Sequence, residues 1–83
     1  MSEWNIHEEK LTRLFVFEGF REAMAFMAKV AEVAEEMNHH PEWRNVYNKV
    51  WVELTTHDAG HVTELDYQLA EAMDRIAVEF VQT

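Results

Sequence analysis

The spacing of apolar residues changes sharply at Glu18-Gly19, and this change constrains the fold more than any other feature of the chain. Before it, Leu11 to Phe17 is dense in β-branched and aromatic residues on both parities, the pattern of a largely covered strand. After it, Phe20, Met24, Met27, Ala31, Ala34 and Met37 recur every third or fourth residue among charged ones. That spacing predicts an amphipathic helix of about four to five turns. The helix must end near His39, because Pro41 disfavours helical backbone at His40 and has no amide hydrogen to donate. Trp43 to Val46 and Lys49 to Thr56 then read as two strands joined at Tyr47-Asn48, with Val50, Val52 and Leu54 on one face and Trp51, Glu53 and Thr55 on the other. Residues 3 to 8 carry the weaker pattern of a short edge strand. A last helix opens at Thr63-Glu64-Leu65-Asp66, where Thr63 can cap the free amides and the acids suit the positive end of the dipole. Leu65, Leu69, Met73, Ile76 and Phe80 are its expected buried stripe. A hairpin excludes an all-parallel sheet, so one α+β domain over residues 1–83 is expected, an antiparallel sheet with both helices on one face.

Composition narrows the function. Apolar residues make up 48% of the 83, with only 2 Gly and 1 Pro, which excludes disorder and linker-like repeats. The absence of Cys excludes a disulfide scaffold, a Cys-ligated zinc site and a thiol nucleophile, and favours a cytoplasmic setting. Acids outnumber bases 16 to 7, and the net charge of −9 opposes direct binding to nucleic acid or anionic membrane. No apolar stretch approaches the roughly 20 residues that cross a bilayer, and the opening Met-Ser-Glu-Trp lacks a basic n-region, so neither secretion nor membrane spanning is expected. A chain this short buries little more than about 60% of its extended surface, which favours gaining core from a second copy.

The histidines carry the chemical signal. His39 and His40 lie where a helix gives way to a Pro-fixed segment, and His57 lies where the long strand ends, so these element ends can meet at one rim of the sheet. Imidazoles titrate near neutral pH and suit proton transfer in both directions. Glu35, four residues before His39, stands one helical turn away and can orient it or share its proton. His7 and His61 read as solvated. The rival is a metal site, with His57 and His61 spaced i, i+4 and joined by His39 or His40, but Asp58-Ala59-Gly60 between them reads as loop. Trp43, Tyr47 and Trp51 could stack on a planar ligand or belong to core or interface. Phosphate loops, nucleophile elbows and RNA-binding strand pairs have no counterpart here.

Taken together, His39-His40-Pro41-Glu42-Trp43, Asn45-Val46-Tyr47-Asn48-Lys49-Val50, Leu54-x-Thr56-His57 and Gly60-x-x-Thr63-x-x-Asp66-x-x-Leu69-Ala70 resemble the pterin-4a-carbinolamine dehydratases. Some members of that family also serve as dimerisation cofactors of a homeodomain transcription factor. The resemblance implies a four-stranded antiparallel sheet with helices on one side, and a homodimer or homotetramer. It implies a pterin site at His39, His40, Pro41, Thr56, His57, Asp58 and Ala59, with Trp43 beside it, and dehydration of a 4a-hydroxytetrahydropterin to the quinonoid dihydropterin without metal, nucleotide or flavin. His40 would lead as acid/base, His39 and His57 would flank the ring, and Glu35 would relay protons. Asn38 stands where many members carry an acid, and Asp58-Ala59 where others carry Glu and Cys. The contrasting expectation is a non-catalytic dimerisation or coactivator module, which would not need the His-His-Pro and Thr-His set.

Overall fold

The computed structural model describes residues 3–80. Its elements run β1 (Asn5–His7), β2 (Lys10–Val16), α1 (Phe20–Met37), β3 (Glu42–Val46), β4 (Lys49–Leu54) and α2 (Glu64–Val78). The four strands form one antiparallel sheet in the order β1-β2-β4-β3. In the central register Leu11 faces Leu54, Arg13 faces Val52 and Phe15 faces Val50. These side chains share one sheet face, and all but Arg13, which pairs with Asp74 of α2, form a single core with Phe26 and Val30 of α1 and Leu69 and Met73 of α2. Both helices therefore cover the same face, the expected α+β sandwich. Phe26 is the hub, its ring 4.7 Å from Phe15 and 4.8 Å from Phe17.

Four sequence expectations change. Strand β2 is covered on one side only, since Leu14 and Val16 point away from the helices and are 43% and 52% exposed. On α1 the buried line is Ala23, Phe26, Val30 and Ala34, while Phe20 is half exposed and Ala31 exposed. Met27 and Met37 pack at the margin of the core. The helix carries two apolar stripes, and periodicity alone does not say which one meets the sheet. On α2, Leu69 and Met73 are buried and Ile76 and Phe80 pack beside them, but Leu65 turns outward and Asp66 is wholly buried. At the hairpin the left-handed residue is Tyr47 (φ 52°). Asn48 contributes its side chain instead, donating to the Phe17 carbonyl at 3.0 Å and so fastening the turn to the end of β2.

Candidate functional site

Helix α1 stops at Met37, two residues before His39. Asn38 takes a left-handed conformation (φ 53°), and the His39 amide reaches back to the Ala34 carbonyl at 3.0 Å. This is a Schellman-type ending with Asn in place of the usual Gly. The reversal throws His39 and His40 off the helix in different directions, and Pro41 leads directly into β3. On the far side of the sheet end, β4 runs out through Thr55 and Thr56 into the turn 57–60. That turn is closed by Ala59 and Gly60 amides donating to the Thr56 carbonyl and by a bridge between Thr56 and His61. His57 and His61 are thus on a turn and not on adjacent helical turns. Among the described residues no three His, Asp or Glu side chains converge as a metal-ligand set.

The two segments enclose an open cleft of about 440 Å³ lined by Asn38, His39, His40, Pro41, Glu42, Thr55, Thr56, His57, Asp58 and Leu65. Of the residues singled out in the sequence, His39, His40, Pro41, Thr56, His57 and Asp58 come together here. Ala59 sits exposed on the turn outside the lining, and Trp43 turns to the core face, opposite Val52, half buried against the core. Glu35 lies beside the cleft, but its partner differs from the expectation: it bonds Nε2 of His40 at 2.7 Å and not His39. The i, i+4 relation requires helix through both residues, and the left-handed Asn38 ends it.

His39 is held by a residue that sequence reasoning treated only as a helix-start acid. Its Nε2 lies 2.6 Å from Oδ1 of Asp66. The other Asp66 oxygen accepts from the Thr56 hydroxyl and the Thr63 amide, each at 2.8 Å. The Thr63 hydroxyl lies 2.7 Å from that of Thr56. A carboxylate accepts hydrogen bonds, so Nε2 of His39 is assigned as the donor of this pair. Asp66 occupies the third position of α2, where a capping-box acid reaches back to the N-cap amide. The Thr63-x-x-Asp66 spacing was the available signal; that Asp66 would also meet His39 and Thr56 requires the sheet end to lie against the helix start. The two histidines differ in setting, with the His39 side chain 10% exposed and that of His40 53% exposed.

This geometry sits on a chain with many relatives. Residues 1–76 match the family described as pterin 4 alpha carbinolamine dehydratase. The chain is 61% identical over 72 residues to a Nitrobacter hamburgensis protein provisionally named pterin-4-alpha-carbinolamine dehydratase, covering 87% of this chain and 71% of that one. A Prochlorococcus marinus protein with the same provisional name is 49% identical over 76 residues, covering 92% and 79%. The crystal structure of a transcriptional coactivator/pterin dehydratase from Brucella melitensis is similar at a TM-score of 0.91 and 46% identity, covering 93% of this chain and 84% of that one. A pterin dehydratase-like RuBisCO assembly factor of the α-carboxysome shares the fold at a TM-score of 0.74 and 21% identity, covering 89% and 86%. With a family match over residues 1–76, relatives of this name up to 64% identical along most of the chain, and the same fold in a solved relative, the chain belongs to the pterin-4a-carbinolamine dehydratase family.

Proposed function

We propose that this protein dehydrates a 4a-hydroxytetrahydropterin to the quinonoid dihydropterin and water by histidine acid/base catalysis. Such a step recycles the pterin that aromatic amino acid hydroxylation leaves hydroxylated. The observation that supports this reading most directly is the meeting of His39, His40 and His57 on one cleft, two of them already hydrogen-bonded to carboxylates. In the reaction the C4a–O bond breaks as the N5 lone pair forms the C=N bond. One protonated imidazole delivers a proton to the departing oxygen, and a neutral one accepts the ring N–H proton. His40, on the rim and bonded to the exposed Glu35, is suited to exchange protons with water between turnovers. His39, locked by Asp66, is suited to hold one tautomer against the ring. Pro41, Thr56, His57 and Asp58 complete the pocket, with Trp43 and Ala59 acting from just outside it. The chemistry needs no metal or other cofactor.

The working unit is a cytoplasmic homodimer or homotetramer. The half-exposed Phe20 and exposed Ala31 of α1 and the bare edge of β3 are the surfaces that would gain most by pairing. In the described residues no helix is long and apolar enough to cross a membrane. A coactivator-type role is the second reading, favoured by the apolar Leu14, Val16 and Val46 on the uncovered sheet face and by the name of the Brucella melitensis relative. Stopped-flow dehydration of chemically generated 4a-hydroxytetrahydropterin decides between them: acceleration over the uncatalysed rate supports the enzyme, and none with folded protein leaves the interaction module.

A further inference from the structure

If the cleft holds a pterin, as proposed above, its surroundings bear on what the ring can carry. Glu42 and Asp58 line the cleft, Glu35 adjoins it through His40, and no Lys or Arg is among its described lining residues. The backbone adds to this. Helix α1 ends at the cleft with its carbonyl pole and no basic residue in its last turn, and that pole repels anions. Helix α2 begins there, but its amide end, the usual cradle for phosphate, is occupied by the Asp66 carboxylate.

Two further depressions adjoin the cleft. One shares Glu42 with it, the other shares Thr55 and His57, and Lys10 borders both. The Lys10 ammonium is held 3.1 Å from Glu42 and 3.3 Å from Glu53, which face each other across β3 and β4. The first depression thus sets Glu42 and Glu53 against Lys10 and Arg44, whereas the cleft itself has Glu42 and Asp58 and no Lys or Arg among its described lining residues. Arg44, on the outer sheet face, lies 4.0 Å over the Trp51 ring. A phosphate or carboxylate carried by the ring inside the cleft therefore meets Glu42 and Asp58 with no Lys or Arg beside them, whereas hydroxyls can hydrogen-bond to the same oxygens without a charge conflict.

We propose that this cleft discriminates between pterins by the charge of their side chain, accepting neutral hydroxylated ones and rejecting those that end in phosphate or carboxylate, with Glu42 setting the discrimination. The test compares a trihydroxypropyl pterin with its phosphate monoester. Equilibrium binding uses the unreactive dihydropterin forms, and turnover uses the 4a-hydroxytetrahydro forms. The ester is expected to bind and react about tenfold or more less well at low ionic strength, the scale of one or two like-charge contacts in a partly solvated site, with the gap shrinking as salt rises. Glu42→Lys should narrow the ratio between the two compounds. Asp58→Lys, in an exposed turn, should do the same and guards against a folding defect in the strand variant. Glu71→Lys, on the exposed side of α2, makes the same change in net charge and should leave the ratio alone. Equal binding of both compounds overturns the discrimination while leaving the pterin reading intact. A Glu71→Lys shift as large as that of Glu42→Lys overturns the assignment to Glu42. Folded protein that neither binds nor turns over either compound overturns the pterin reading and this inference with it.

Discussion

His39 and His40 share a peptide bond, yet one is packed against a wholly buried carboxylate and the other lies on the rim against a carboxylate 77% exposed. Both pairs are about equally short, 2.6 and 2.7 Å. The difference lies in what surrounds them. Asp66 accepts from His39, Thr56 and Thr63 and ties together the end of α1, the end of β4 and the start of α2. Its loss would leave several donors without a partner away from water. Glu35 and His40 are hydrated on their open sides, so their hydrogen bond exchanges readily with water and adds little to stability. Equal distances therefore have different consequences: the buried pair holds the cleft in shape, and the exposed pair is the one that moves protons in the function proposed above.

The largest effect should separate the two in turnover. His40→Ala is expected to cut dehydration by about 10²-fold or more, the usual scale for a positioned acid/base, while His7→Ala, whose side chain is 75% exposed and is not among the residues lining the cleft, leaves it nearly unchanged. Equal losses in two folded variants, measured by stopped-flow, would break the comparison. Next comes stability. Asp66→Ala should lower the unfolding free energy by about 3 kcal/mol, because it strips the acceptor from a buried network. Glu35→Gln should change it by no more than about 0.5 kcal/mol. Denaturant melts of the two variants check this, and similar midpoints would mean that burial does not distinguish the pairs.

Exhaustive chelation should leave activity unchanged, since both histidines are engaged with carboxylates in hydrogen bonds. Activity lost to chelator and restored by Zn²⁺ would make them ligands. The smallest effect belongs to a third ion cluster, at the surface. The hydrogen bonds of Lys10 to Glu42 and then Glu53 hold its ammonium above the ordinary lysine value of 10.5. Whatever stability it contributes is present below 10.5 and is lost as pH climbs through the raised value. The melting difference between the wild type and Lys10→Met should therefore vanish only in strongly alkaline buffer. A difference that disappears near neutrality would assign it to other groups.

Much of this was legible in the chain itself. The switch from one apolar period to another at Glu18-Gly19, Pro41 after the first helix, and the run from Trp43 to Leu54 determine the order of elements, because backbone sterics and side-chain alternation are local. The same locality explains why His39, His40 and His57 could be expected at one rim: each lies at the end of an element whose direction is set by the hairpin. Where the reading went astray, the deciding contact was between elements. Glu35 was matched to the wrong histidine because a single left-handed residue, Asn38, redirects the chain by more than any spacing rule records.

The two apolar stripes of α1 are nearly equivalent in sequence. Only the fit of Phe26 between Phe15 and Phe17 selects the one that turns inward and leaves Phe20 outside. Asp66 is the clearest case. The sequence by itself determined that an acid stands at the third position of a helix behind a threonine, which local hydrogen bonding favours in any protein. Only the tertiary structure decided that the same carboxylate would be sealed from water and would hold a histidine 27 residues away, because that depends on where the sheet end meets the helix start.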